Sequence, residues 1–433
     1  MEKLNHYIKC LRVVAEEAPD KRSGRPNAKY SMSDICLAAF SVFFMQSPSF
    51  LAHQQALSAR QGRSNLQTLF QNVQIPSDNH IREMLDGIPM DHFDSVFFQI
   101  ISDLRFHKSL EHFQSLAGHI LIALDGSEYF SSYQISCPKC STRKHRNGEI
   151  EYFHSLLGAV IVAPGQSMAL PLPPEFISPQ DGAQKQDCEQ KAAERWLAKY
   201  SEELRALKPV FLGDDLYAHQ PFCLNVLKHD FSFIFTCKPS SHKILYEYLE
   251  GVEKETLTVT KPLPGKGLRR YSYEWLCDVP IRDGHQALKV NWISLQISDP
   301  KGKAKTSNYS FLTDIAPRAS NIEKLISCAR SRWKIENETF NVLKNNGYNL
   351  EHNFGHGKKT LAALLVVLNL LAFSMHNACR LTSRVWQEAE AVFSAKKRLF
   401  IDLWSLCKYH LFPSWQALLN TIISGIPPPS SEF

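Results

Sequence analysis

The sequence predicts an α/β protein in which a mixed sheet flanked by helices carries a β-rich insertion and follows an N-terminal helical domain. Three observations favour this class. Apolar residues recur at helical spacing within residues 1–115. Short apolar runs that end in a carboxylate follow, which is typical of buried strands that stop at the edge of a sheet. Residues 255–305 are rich in Thr, Val, Tyr and Trp and contain turn signals, which indicates several strands.

The same patterns predict the individual elements. Helices are expected at 33–44 and 96–106. The later elements are strands at 119–125 and 153–162, a helix at 180–207, a strand at 210–214, a helix at 221–228, strands at 231–237 and 309–313, a long helix at 321–345 and helices from 360 onward. We therefore divide the chain into a helical region at 1–115, a first core part at 116–250, an insertion at 251–307, a second core part at 308–375 and a C-terminal helical region at 376–433.

Charge and composition restrict the classes of protein. The formal net charge of +6 permits a nucleic-acid partner without requiring one. The apolar run at 361–373 is shorter than the ~20 residues that span a bilayer and contains Asn369, so it predicts a buried helix and no membrane partner. The N-terminus lacks the apolar core of a signal peptide, and the 11 cysteines are therefore expected to be reduced thiols of a cytoplasmic protein.

Three carboxylates stand where an α/β fold gathers catalytic groups. Asp125 and Asp214 each follow a predicted strand, and Glu336 lies in the long helix. Strand ends face the crevice where ligands bind, and clustered carboxylates require a compensating cation such as Mg²⁺ or Mn²⁺. Spacing alone leaves another interpretation open, because an Asp after a strand often serves as a turn or cap residue.

The local sequences narrow the interpretation. Asp125 begins the sequence DGS, residues 213–217 read GDDLY, residues 332–336 read RWKIE, and residues 345–357 read NNGYNLEHNFGHG. Together they resemble the DDE transposases of bacterial insertion sequences, in the group with a Tyr–Arg–Glu–Lys signature. The resemblance covers about residues 119–375. It implies a ribonuclease-H-like catalytic core that uses Mg²⁺ or Mn²⁺ to cleave DNA at the element ends and transfer the strand.

The resemblance also implies roles for single residues. Asp125, Asp214 and Glu336 correspond to the catalytic metal ligands. Asp215 is the alternative to Asp214, which is preferred because the family pattern places a Tyr three residues after the ligand, as Tyr217 is here.

Around the third carboxylate the match is incomplete. Glu338 is the alternative to Glu336, but the Arg-x-x-x-Glu spacing from Arg332 selects Glu336. Ala329 occupies the position of the family Tyr, and Lys344 follows the Glu by eight residues rather than seven. The basic residues expected to contact DNA are Arg330, Arg332, Lys334, Lys344 and Lys358.

A second group of potential metal ligands follows the first Asp. Residues 137–154 contain Cys137 and Cys140, spaced Cys-x-x-Cys, and then His145 and His154. Two thiolates and two imidazoles suit tetrahedral Zn²⁺, so a structural zinc knuckle is predicted, with free cytosolic thiols as the alternative. The glycines beside His356 favour a loop that contacts DNA or forms local hydrogen bonds.

These observations lead to one functional hypothesis and two alternatives. The chain is expected to be a transposase that binds element ends and target DNA, with the helical region 1–115 as the DNA-binding part, and to assemble as a homodimer or larger complex. The first alternative is a catalytically inactive DNA-binding descendant. The second is a zinc-dependent hydrolase, which the Cys-rich ligand set disfavours because such sites are usually closed and structural.

Overall fold

The computed structural model describes residues 2–22, 28–57, 64–179, 187–263, 267–299 and 306–426. The first layer is helical. Its helices are α1 (Glu2–Glu16), α2 (Met32–Phe44), α3 (Phe50–Leu57), α4 (Asn65–Phe70), α5 (Asp78–Leu85) and α6 (Asp94–Phe106). The predicted helices at 33–44 and 96–106 correspond to α2 and α6, because apolar spacing over three or more turns is a strong signal.

One mixed sheet forms the centre of the molecule. Its strands are β1 (Gln114–Ser115), β2 (His119–Ser132), β3 (Ser141–Lys144), β4 (Ile150–Val162), β5 (Leu170–Pro171), β6 (Glu175–Ile177), β7 (Pro209–Gly213), β8 (Ser232–Thr236), β9 (Glu255–Leu263), β10 (Gly267–Pro280), β11 (Lys289–Ser298) and β12 (Ser307–Thr313). The main order is β3-β4-β2-β7-β8-β12-β11-β10-β9. The β2–β7 and β7–β8 pairs are parallel and the other neighbours are antiparallel.

Helices connect and cover the strands. The connecting helices are α7 (Glu189–Arg205), α8 (Gln220–Lys228) and α9 (Lys243–Glu250). The predicted α/β class, with a mixed sheet flanked by helices, is thereby confirmed. The predicted helix at 180–207 starts at Glu189 within the described residues, and 180–186 lie outside them. The segment predicted to be β-rich contains β9, β10 and β11, which extend the same sheet beyond β12.

The segment expected as one long helix changes its hydrogen-bond pattern along its length. It consists of α10 (Ile322–Arg330), a 3₁₀ turn at Ser331–Trp333, a π-helical turn at Glu336–Phe340 and α11 (Asn341–Asn345). A π turn inserts extra backbone into a helix and is frequent at functional sites. The side-chain pattern that predicts a helix does not reveal this change of register.

The C-terminal part surrounds a buried helix. Its helices are α12 (Leu361–Thr382), α13 (Arg384–Ala391), α14 (Lys396–Tyr409) and α15 (Trp415–Ser424). Helix α12 is long and apolar enough to cross a membrane, but 94% of its most apolar stretch is buried, and it packs against α2, α6 and α1. The prediction of a buried helix is confirmed. The buried Asn369 donates from Nδ2 to the carbonyl of Tyr348, whereas its Oδ1 has no hydrogen-bond partner among the described residues.

Candidate active site and metal cluster

The parallel pairing of β2 with β7 places two carboxylates at the same level. Ala123 pairs with Leu212, and Asp125 and Asp214 each lie two residues farther along. The predicted strand at 119–125 continues to Ser132 because its pairing with β4 continues. Asp125 therefore lies within a strand, whereas Asp214 follows the end of one.

Arg332 joins Asp125 to Glu336. Its Nη1 lies 3.7 Å from Asp125 Oδ2 and 3.3 Å from Glu336 Oε1. The Arg332 side chain is 12% exposed, and its Nε is buried without a hydrogen-bond partner among the described residues. Glu336 is 44% exposed at the first position of the π turn. The guanidinium thus links a residue of the central sheet to the helical segment that crosses it, and it retains an unused donor.

Burial and the neighbouring charges together determine the pKa of Asp125. Burial, above all, raises the pKa of Asp125 to about 7. The Arg332 charge opposes that rise, whereas Glu189, Glu336 and Asp214 add to it. Four carboxylates thus influence one another in this region, and one guanidinium offsets only part of their charge.

Glu189, the first residue of α7, is a member of this group that no sequence motif revealed. The Tyr217 hydroxyl donates to Glu189 Oε1 at 2.6 Å, and the backbone N–H of Gly126 donates to the same carboxylate. A Cβ at position 126 would collide with the Glu189 carboxylate, so glycine next to Asp125 permits this close approach. Burial raises the pKa of Glu189, and the charge of Asp214 contributes to the rise.

Asp214 and its neighbour Asp215 make different contacts. Asp215 is buried, and its carboxylate accepts hydrogen bonds from the backbone N–H of Lys238 at 2.6 Å and from the Ser241 hydroxyl. Asp215 therefore fastens the connection that follows β8. Asp214 accepts from the N–H of Leu216 at 2.8 Å and lines an open cavity. This arrangement agrees with the preference for Asp214 as the ligand.

The cavity beside Asp214 has a volume of about 1030 Å³ and is bordered by basic and aromatic side chains. The Arg330 guanidinium lies 4.9 Å from the centre of the Tyr309 ring. Trp333 is 56% exposed. The basic and aromatic residues that line the cavity are Lys238, Tyr246, Trp292, Tyr309, Phe311, Arg330, Arg332, Trp333 and Lys334.

Three of the five predicted DNA-contacting residues lie at this cavity, namely Arg330, Arg332 and Lys334. The Lys334 ammonium also donates to the carbonyl of Gln166. Lys344 instead forms an ion pair with Glu351 at 2.8 Å. Lys358 is exposed in the segment before α12, where its backbone N–H bonds to Asp86. The cavity lining does not include Lys344 or Lys358.

A second, more compact group of potential ligands combines the connection between β2 and β3 with residues from β4 and from the segment before α12. Within the described part of the chain, one group has all its ligand atoms within 4.8 Å of one another: Cys137, Cys140, His154 and His356. These four residues form the Cys/His cluster, which could hold a metal ion. The carboxylates of Asp125, Asp214 and Glu336 do not form so compact a group.

The zinc ligand set expected from sequence requires one correction. His145 lies outside the Cys/His cluster, because its Nε2 is 2.8 Å from Glu151 Oε2. Its place is taken by His356, which is 216 residues from Cys140 in sequence. In the sequence, the flanking glycines of His356 indicate only a loop that contacts DNA or forms local hydrogen bonds. Its pairing with a distant Cys-x-x-Cys could be recognised only in the folded chain.

Protonation favours metal binding by His154. Burial, followed by the neighbouring charge of His356, lowers the pKa of His154 to about 4. The imidazole is therefore neutral at pH 7 and retains a lone pair, as a metal ligand must. Comparisons with known proteins add no family assignment: no protein-family model matches the chain, and no curated protein is found to be related to it.

Proposed function

We propose that this chain is a DDE transposase with a ribonuclease-H-like core, which cleaves DNA strands at insertion-sequence ends and transfers them. The observation that carries the proposal is the level placement of Asp125 and Asp214 on adjacent parallel strands, with Glu336 joined to Asp125 through Arg332. The chain order agrees with the resemblance, since a strand Asp, a second strand Asp, a β-rich insertion and a helical Glu follow one another.

The carboxylates fit a hard divalent cation. Asp125, Asp214 and Glu336 offer only oxygen donors, which Mg²⁺ and Mn²⁺ prefer. The like charges of Glu189, Glu336 and Asp214 beside Asp125 support this assignment, because a bound cation would offset their repulsion. When bound, such ions activate the attacking oxygen and stabilise the leaving oxygen of a phosphodiester.

The protein side chains then have binding and orienting roles. Arg332 lines the cavity and is suited to contact a phosphate oxygen, since guanidinium groups bind phosphates in bidentate fashion. Arg330 and Lys334 contribute positive charge along the cavity, and Trp333 offers an exposed ring for stacking on a base. We propose that the enzyme acts in the cytoplasm as a homodimer or larger assembly on paired DNA ends.

A catalytically inactive DNA-binding descendant is the second candidate. Two observations favour it, namely Ala329 at the position of the family Tyr and the absence of a compact carboxylate group within the described residues. A hydrolytic zinc enzyme is a poorer candidate. The Cys/His cluster supplies four protein ligands, whereas a catalytic zinc keeps one position open for water. We assign the cluster to a structural Zn²⁺.

Strand cleavage tests the proposal. Labelled duplexes that carry the inverted repeats flanking the coding sequence are incubated with protein and Mg²⁺ or Mn²⁺, with EDTA as the blank. The variants are Asp125→Asn, Asp214→Asn and Glu336→Gln, and the matched controls are Asp215→Asn and Glu338→Gln. A gel-shift assay in parallel measures binding of the same duplexes.

Each result has a definite meaning. Wild-type cleavage that the three triad variants lose while still binding DNA supports the transposase, provided that the Glu338→Gln control still cleaves. If Asp215→Asn binds but does not cleave while Asp214→Asn cleaves, the second ligand is Asp215. Wild-type protein that binds the duplexes with either ion and never cleaves them identifies the inactive descendant.

A further inference from the structure

The Cys/His cluster has the dimensions of an occupied tetrahedral metal site. The two sulfurs, of Cys137 and Cys140, are 3.7 Å apart. His154 Nε2 lies 3.5 Å from each sulfur, and His356 Nε2 lies 3.7 Å from Cys140 Sγ. Zn–S bonds of about 2.3 Å and Zn–N bonds of about 2.0–2.1 Å at tetrahedral angles give edges of about 3.8 Å between sulfurs and about 3.6 Å between sulfur and nitrogen. These four edges of the tetrahedron agree with the expected values.

Hydrogen bonding alone does not account for this arrangement. His154 Nε2 is equally close to two sulfurs, but one ring nitrogen carries one proton or one lone pair. A central cation satisfies all four ligand atoms at once. The backbone also forms the tight turn of a metal knuckle, because the Cys140 N–H donates to the Cys137 carbonyl at 3.1 Å and the Cys137 N–H donates to Cys140 Sγ at 3.3 Å.

The four ligands come from three separate parts of the fold. Cys137 and Cys140 lie between β2 and β3, and His154 is in strand β4. His356 belongs to the segment 346–360, which joins the helical segment of Glu336 to α12. The His356 ring packs 4.4 Å from the ring of Phe130 and 5.0 Å from that of His154. A metal ion at this position connects the sheet to the segment 346–360, which follows the helical segment of Glu336.

The N-terminal helices hold the same segment from its other side. The Asp86 carboxylate accepts hydrogen bonds from four consecutive backbone N–H groups, those of Lys358, Lys359, Thr360 and Leu361, at 2.9–3.2 Å. Arg82 Nε donates to the carbonyl of Phe354 at 2.9 Å. The segment 346–360 is therefore fixed between the helical layer and the Cys/His cluster.

We propose that Cys137, Cys140, His154 and His356 bind one structural Zn²⁺ that clamps the segment 346–360 to the central sheet. All four positions of the tetrahedron are filled by protein, so the ion has no position for substrate and serves the fold. The clamp determines where the helical segment carrying Glu336 ends relative to β4. This inference stands on the ligand geometry and does not require the chain to be a transposase.

Cobalt substitution gives a direct test of the ligand set. The full-length chain is purified, its zinc content is measured, and Co²⁺ is exchanged in to follow the thiolate-to-cobalt absorption. We expect one zinc per chain. His356→Cys replaces one imidazole by a third thiolate, so it keeps the ion and raises the charge-transfer intensity by about one half. His145→Cys is the matched control, and the wild-type spectrum is expected to persist.

The opposite results would overturn the proposal. A rise in intensity with His145→Cys and an unchanged spectrum with His356→Cys would identify His145, and not His356, as the fourth ligand. Wild-type protein that takes up neither Zn²⁺ nor Co²⁺ under reducing conditions would show that the cluster consists of free thiols.

Hydrogen exchange tests the clamp itself. Removal of the metal by chelation is expected to increase amide exchange in 346–360 at least tenfold, while exchange in α15, which lies outside the clamped segment, stays within twofold. Unchanged exchange in 346–360 in metal-free protein would contradict the clamp even where zinc binds.

Discussion

Gly158 lies against the ring of Phe340, with no room between them for a side chain. A Cβ at position 158 would come within 2.6 Å of Phe340 Cζ. Gly158 is the cross-strand partner of Asp125 in the β2–β4 pair, and Phe340 is the last residue of the π turn that begins at Glu336. This contact therefore packs β4, the strand paired with that of the first carboxylate, directly against the helical segment of the third.

Adding a methyl group at this contact is expected to destabilise the protein and displace Glu336. Gly158→Ala overfills a packed contact, which costs about 1–3 kcal/mol in the free energy of unfolding. The second change Phe340→Leu provides space and is expected to restore part of that loss. Urea unfolding of both single variants and the double variant measures the coupling between the two positions.

Gly251→Ala is the control for this cycle, because the nearest atom to a Cβ there is the Tyr248 carbonyl oxygen at 3.9 Å. We expect this variant to be as stable as wild type. Additive losses in the Gly158→Ala, Phe340→Leu double variant would show that the contact does not couple the strand to the π turn.

Arg332 is expected to control the charge state of Asp125. Arg332→Gln removes the cation that opposes the rise in the pKa of Asp125 and should move this pKa above about 7. Carboxyl ¹³C NMR of chain labelled at aspartate follows the titration. Arg330→Gln is the matched control, because the Arg330 guanidinium stacks on Tyr309. A pKa of Asp125 that responds to position 330 and not to 332 would refute the assignment.

Replacing Glu189 is expected to shift the pKa of Asp125 in the opposite direction. Glu189 is the first of three neighbouring carboxylates that raise the pKa of Asp125, after burial and the opposing effect of Arg332. Glu189→Gln removes a negative charge while keeping an acceptor for the Tyr217 hydroxyl, so the pKa of Asp125 should fall. The same NMR titration measures it. No change in the pKa would mean that Glu189 is too well screened to belong to this carboxylate group.

The sequence predicted those parts of the site that depend on local pattern. Asp125 and Asp214 are recognisable as candidates because apolar strands end in carboxylates and the flanking residues form motifs, and their role as metal ligands stays a prediction. Glu189 carries no such signal, since its approach to Gly126 depends on how α7 packs. His356 reaches a cysteine 216 residues away, and the π turn at Glu336 is a change in backbone hydrogen bonding that side-chain periodicity does not encode. Long-range packing thus supplied what local pattern could not.

Buried His53 is expected to make the protein sensitive to acid. Its two ring nitrogens lie 2.8 Å from the hydroxyls of Ser41 and Ser47, and burial lowers its pKa to about 3. The unfolded chain binds a proton below about pH 6.5, whereas the folded chain does not. Stability is therefore lost as the pH falls from about 6.5 toward 3, by about 1.4 kcal/mol per pH unit for this histidine.

Replacing His53 should make that slope shallower. His53→Gln keeps polar groups for the two serines, and its free energy of unfolding should fall less steeply between pH 6.5 and 4, by about 1.4 kcal/mol per pH unit. Urea unfolding at several pH values gives the slope. His285→Gln, at an exposed position, is the control and should leave it unchanged. Equal slopes in wild type and His53→Gln would place the acid sensitivity elsewhere.

Asp86 is expected to be the main polar attachment of the N-terminal helices to α12. Its carboxylate accepts from four backbone N–H groups, the last of them at Leu361, where α12 begins. Asp86→Ala leaves the partly buried N–H groups of Thr360 and Leu361 without this acceptor, so a loss of about 1–3 kcal/mol in the free energy of unfolding is expected. Asp86→Asn keeps one carbonyl oxygen and should lose less.

The pH dependence distinguishes this role from simple packing. Burial opposes ionisation of Asp86, but the four N–H bonds outweigh it and hold the pKa below its ordinary value. A lowered folded-state pKa gives stability that is present above the unfolded pKa and disappears as the pH falls through the folded one. The difference between wild type and Asp86→Ala should therefore be full at pH 7 and shrink below about pH 4. A difference that stays constant down to pH 2.5 would show that the charge of Asp86 contributes nothing to the attachment.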